Sequence, residues 1–69
     1  MLGVLMLIYK GAKEIGRAIG AGRNEVPRLV DQEGLPAWKE SDAGPWKALP
    51  EDLRAWLVQR RKKYLGEVN

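Results

Sequence analysis

The chain has no cysteine, no histidine and no threonine, and Ser41 is its only serine. Without cysteine there is no disulfide and no thiolate zinc site, and without histidine the other common zinc ligand is gone as well. A chain of 69 residues lies near the lower limit at which one core holds a domain together, so this one must rely on packing or on self-association. The same absences bear on catalysis, because a nucleophile needs a positioned general base and the usual candidates are missing. The remaining carboxylates and lysines form no recognisable constellation. The expectation is a protein that is not an enzyme, with no catalytic residue, no bound metal, no cofactor and no small-molecule substrate.

A long apolar run is also lacking. The opening "MLGVLMLIY" is apolar apart from Gly3, but a membrane span needs about 20 such residues. Basic residues before the run and a small-residue cleavage site after it are missing too, which argues against a signal peptide. Two readings remain for residues 1–9: a strand packed on the domain or between two copies, or a disordered lead-in. The expected location is the cytoplasm, with no membrane partner.

What is present is an uneven distribution of charge around a net +3. Residues 10–30 carry five Lys or Arg against two acids, and residues 50–69 carry five against three. Residues 31–49 run the other way, with two bases and four acids. Two basic blocks around an acidic middle suit a phosphate-facing surface, although a charge of this size is by itself weak evidence for nucleic acid.

From Gly11 the apolar spacing becomes helical. Ala12, Ile15 and Ile19 share one stripe, with Lys13, Glu14 and Arg17 turned away, which predicts a first helix over Ala12–Ile19. Gly16 inside it is unfavourable by about 1 kcal/mol relative to alanine, so a neighbouring helix is expected to approach closely there. "GAG" at residues 20–22 supplies a turn. A second helix follows over residues 23–33, with Val26, Leu29 and Val30 as its apolar stripe, Gly34 as a left-handed cap and Pro36 as a stop. So short a connection is how a helix-turn-helix pair is joined. Pro27 removes the amide that would have bonded to the Arg23 carbonyl, so the first turn is expected to be kinked or 3₁₀-like. Either that turn re-aims Arg23 and Asn24 outward, or Pro27 simply packs in the core.

"AWKESDAGPWKAL" reads as two short strands around a tip at residues 40–45. A hairpin symmetric about Asp42 puts Trp38 opposite Trp46 over the core and turns Lys39 and Lys47 outward from the other face. The last helix starts at Pro50, which suits a first helical position, and Glu51 and Asp52 lie where the helix dipole favours acids. Its stripe is Leu53, Trp56, Leu57, Arg60 and Tyr64. "RRKK" at residues 60–63 is either a solvated, dipole-stabilising end or a DNA contact.

With this order in place, "KEIGRAIGAGRNEVPRLVDQEGLPAWK" followed by "WKALPEDLRAWLVQRR" resembles the MerR-like winged helix-turn-helix domain of phage excisionases, AlpA-type regulators and small terminase subunits. The resemblance runs over residues 8–61 and rests on several features in register. They are "KEI" in the first helix, Gly20 at the turn, Val26, Arg28 and Leu29 in the second helix, "EGLPA" before the wing and "EDLRAWL" opening the last helix. It implies a mainly α fold with a small β-hairpin, a compact winged helix-turn-helix of three helices and a two-stranded wing spanning residues 10–65, with a tail at 66–69.

The resemblance further implies that the second helix enters the major groove of double-stranded DNA and the wing reaches the adjacent backbone or minor groove. Carried over by position, Arg23, Asn24, Glu25 and Arg28 are the expected contacts from the helix, and Lys39 and Lys47 those from the wing. Two positions depart from the family pattern: Gly22 stands where Ser or Thr is frequent, and Pro27 where an aromatic or aliphatic residue is usual. The leading expectation is a sequence-specific DNA-binding protein of phage or prophage type, in a bacterial or phage-infected cell, acting as a transcriptional regulator or excisionase-like factor. It is expected to gain affinity as a homodimer or as a cooperative array. One alternative is the recognition domain of a DNA-packaging small subunit, which the brevity of the chain disfavours. The other is a protein-interaction module that uses the same fold without DNA.

Overall fold

The computed structural model describes residues 7–66, so the first six residues of the apolar N-terminal segment and residues 67–69 of the tail lie outside the described residues. In chain order the elements are β1 (Tyr9–Lys10), α1 (Ala12–Ile19), a 3₁₀ turn (Arg23–Glu25), α2 (Val26–Glu33), β2 (Ala37–Lys39), β3 (Trp46–Ala48) and α3 (Pro50–Leu65). The result is a small, mainly helical α+β domain.

The expected two-stranded wing is a three-stranded antiparallel sheet in the order β1-β3-β2. Tyr9 pairs with Ala48 and Lys10 with Lys47, so the end of the apolar lead-in forms an edge strand. A further tie is the Gly11 amide, which donates to the Trp46 carbonyl at 2.7 Å.

The hairpin register differs from the symmetric one. Trp38 lies opposite Lys47, and Lys39 opposite Trp46. Because side chains alternate along a strand, this shift puts the two tryptophans on opposite faces. Tyr9, Ala37, Trp46 and Ala48 face the core, whereas Trp38 lies on the outer face and is 36% exposed. The small side chains decide the matter: α1 packs on β3, and Ala48 beneath it is completely buried.

The core consists of Ile15, Val26, Leu29, Leu35, Ala48 and Leu53. The expected stripes of α1 and α2 are all in it or packed against it, together with Trp56 of α3. Leu35, just past the α2 cap, was not among the expected core positions; its amide donates to the Leu29 carbonyl at 3.1 Å, which folds the side chain inward. Gly34 has the predicted left-handed conformation, at φ 72°.

Gly16 accommodates the backbone of the turn at residues 20–22 rather than a helix. A β-carbon built there would meet the Ala21 oxygen at 2.7 Å and the Gly22 carbon and oxygen at 3.2 Å. The Ala21 amide donates to the Gly16 carbonyl at 2.7 Å, which folds the turn back against α1.

Within α3 only the first half follows the expected stripe. Leu53 is buried and Trp56 packs against the core, but Leu57 is half-buried outside the core cluster and Tyr64 is 64% exposed. The helix is secured to α2 by polar contacts instead. The Trp56 indole N–H donates to the Glu33 carbonyl at 3.0 Å, satisfying one of the carbonyls left open at a helix C-terminus. Arg60 and Lys63 approach the Glu33 carboxylate at 3.4 and 3.6 Å, and the Arg60 guanidinium lies over the Trp56 and Tyr64 rings. Two cations of "RRKK" therefore clasp α3 to the end of α2.

Candidate nucleic-acid interface

Residues 23–25, 27 and 28 are exposed around the buried Val26 at the front of α2. A continuous helix would offer the Arg23 carbonyl to the amide of residue 27, which proline lacks. Here that carbonyl accepts the Val26 amide, so the chain enters α2 through a 3₁₀ turn, as expected from Pro27. Pro27 occupies the first turn of α2, where its missing amide leaves nothing unsatisfied. It is exposed, which excludes the reading that it packs in the core.

Burial of Val26 at 0% and Leu29 at 2% exposure fixes the rotation of this run. Arg23, Asn24, Glu25 and Arg28 are thereby left at the surface. Arg23 and Asn24 make no side-chain hydrogen bond or ion pair among the described residues. Arg28 lies 3.9 Å from Glu25, with both side chains about half exposed, and a pair so long and so wet holds a guanidinium only weakly. Asp31, one turn beyond Arg28, is also exposed. The two cations of this surface, Arg23 and Arg28, are therefore separated by Glu25 and followed by Asp31.

The wing lysines do not share a face, in contrast to the symmetric hairpin. Lys39 turns toward the tip on the core side, donating to the Asp42 carbonyl at 3.0 Å and lying 5.2 Å from the Trp46 ring centre. Lys47 is on the outer face and bonds to the Glu40 carboxylate at 2.9 Å. That hydrogen bond, and the lysine's charge, hold the Glu40 carboxyl below its ordinary range, with a smaller contribution from the Trp38 indole. The register Lys10, Lys47, Trp38 across the sheet adds two outer-face residues that were not among the expected contacts, Lys10 and Trp38. Taking the strand as reaching Lys10, rather than ending the apolar segment at Tyr9, would have pointed to Lys10. No local signal distinguished Trp38 from Trp46.

Chemically, the surface offers two unengaged donors, Arg23 and Asn24, at a helix start where backbone amides and the dipole favour an anion. An arginine such as Arg28 has the donors to pair with guanine O6 and N7, and an asparagine such as Asn24 the donor and acceptor to pair with adenine N7 and N6. Among the described residues no helix is long and apolar enough to cross a membrane. Comparison of the chain with family models, with curated proteins and with solved structures gave no match.

Proposed function

We propose that this chain is a sequence-specific double-stranded DNA-binding protein with a winged helix-turn-helix layout. In this reading α1 and α2 are the helix pair, α2 with its 3₁₀ lead enters the major groove, and the sheet serves as the wing. The observation that carries the reading is the exposed run Arg23, Asn24, Glu25 and Arg28, held outward by burial of Val26 and Leu29. The family resemblance supports a role as a transcriptional regulator or excisionase-like factor of phage type, working in the cytoplasm without metal or cofactor.

Lys39 and Lys47 are retained as wing contacts, from different faces, with Lys10 beside Lys47 as a further phosphate partner. With Arg23, Arg28, Lys39, Lys47 and Lys10 all at phosphates, the logarithm of affinity falls with that of salt with a slope of about −4.5. Binding by one copy is therefore weak, and pairing of copies on DNA supplies the rest.

The test is selection of bound sequences from a random duplex pool at low and at physiological salt. A common motif is expected, with Arg28→Ala weakening binding to it by about 1–3 kcal/mol if that residue reads a base. No motif, together with no binding at low salt, refutes the proposal. One specific observation favours a second reading, a protein-interaction module: acids flank the predicted cations, with Glu25 beside Arg28, Glu40 on Lys47 and Asp31 exposed nearby. Under it the same surface binds a partner of mixed charge, and the selection yields nothing.

A further inference from the structure

The outer flank of α3 carries a seam that, among the described residues, takes no part in the core. Glu51, Ala55, Val58, Lys62 and Leu65 follow one another at intervals of four, three, four and three residues. That spacing keeps them on one face of a helix and is the repeat by which two helices pack side by side. Glu51, Ala55 and Leu65 are exposed, Val58 and Lys62 half-buried, and none of the five belongs to the core or packs against it. Among the described residues, Glu51 and Lys62 have no ion-pair partner.

The seam is complementary to itself in one direction only. Its acid is at the helix start and its cation near the end, so a parallel copy would place like charges together, whereas an antiparallel copy places Glu51 opposite Lys62. In that register Ala55 meets Val58 of the second copy and Val58 meets its Ala55, small against branched. The helix dipoles also oppose, which favours the antiparallel arrangement. The flank through Arg54 and Arg61 lacks this property, because turning it on itself brings guanidinium groups together.

We propose that α3 pairs antiparallel with α3 of a second copy along Glu51, Ala55, Val58 and Lys62, an isologous contact with a two-fold axis level with residues 56 and 57. Glu51 and Lys62 are about 16 Å apart along the helix, too short a seam for a standard-sized interface, so the free dimer is weak, with a Kd of about 0.1 mM. The pairing does not rest on the DNA reading.

Sedimentation equilibrium without DNA tests it, with circular dichroism confirming that each variant is folded. Glu51→Lys and Lys62→Glu each turn two symmetry-related attractions into repulsions, and each is expected to weaken dimerisation about tenfold. The double variant carrying both exchanges restores the attraction and returns the constant to within about threefold of the original. Val58→Asp, at a position outside the core, abolishes the dimer. A chain that is monomeric at about 1 mM, roughly ten times the expected Kd, overturns the proposal. So does a dimer indifferent to the charge exchanges, including one that is lost with Leu7→Ser and so lies at the N-terminal strand.

Discussion

Replacing Gly16 by alanine sets two opposing effects against each other at one position. Intrinsic helix propensity favours alanine by about 1 kcal/mol in a helix interior. Against this, the added β-carbon meets the Ala21 oxygen at 2.7 Å and two Gly22 atoms at 3.2 Å, all of them backbone. No rotamer change relieves a backbone clash. The turn must lift, stretching the 2.7 Å bond from the Ala21 amide to the Gly16 carbonyl. Overpacking of this kind costs about 1–3 kcal/mol, and loss of a hydrogen bond adds about 1 kcal/mol. The net expectation is destabilisation by about 1–3 kcal/mol, which lowers Tm by about 5–20 °C for a domain of this size. Thermal unfolding followed by circular dichroism and by tryptophan fluorescence measures it, since Trp46 and Trp56 pack against the core. A Tm equal to or above that of the original chain would refute the reasoning, because it would mean that propensity dominates and the turn yields freely.

Gly22 precedes the 3₁₀ turn with extended backbone, at φ −78° and ψ 155°, and has open space around its β-position. Gly22→Ser is therefore expected to supply the missing side-chain cap and raise stability by a few tenths to about 1 kcal/mol in urea unfolding; a loss would contradict it. Trp56→Phe keeps an aromatic side chain, smaller than the indole, but removes the donor to the Glu33 carbonyl, and should cost about 1–2 kcal/mol while hastening amide exchange in α3. An unchanged midpoint with unchanged exchange would show that this bond does not hold the helix.

Glu40 has a lowered pKa because Lys47 stabilises its charged form, so whatever this pair contributes is complete above the carboxyl's unfolded pKa and disappears as pH falls through the lowered folded value. An NMR titration should place the Glu40 midpoint below that in a Lys47→Met variant, and equal midpoints would refute the assignment. If Lys47 serves DNA, Glu40→Gln should strengthen binding and steepen the salt slope by up to about 0.9.

Local chemistry was enough to place most of the elements. Apolar spacing located α1 at Ala12–Ile19, the Gly34 cap ended α2, and Pro50 opened α3. The missing amide of Pro27 led directly to the 3₁₀ entry, because that effect is confined to one turn. The exposed group Arg23, Asn24, Glu25 and Arg28 was equally legible, since burying Val26 and Leu29 leaves those positions nowhere else to face.

The wing was not legible in the same way. Both tryptophans and both lysines fit either register, and a slip of one residue reverses every side chain without altering local propensity. The choice was made by what lies underneath: β1 pairs with β3, α1 packs on β3, and Ala48 is completely buried. Likewise the stripe of α3 could not show where its packing stops, because that depends on where Glu33 at the end of α2 meets it.

The sequence by itself determined the helices, their caps and the outward set of residues at the entry to α2, because each follows from interactions a few residues apart. The tertiary structure alone decided the third strand, the separation of Lys39 from Lys47, the clasp of Arg60 and Lys63 on Glu33 and the flank of α3 that stays outside the core. Those depend on contacts between distant segments, whose pairing no local pattern encodes.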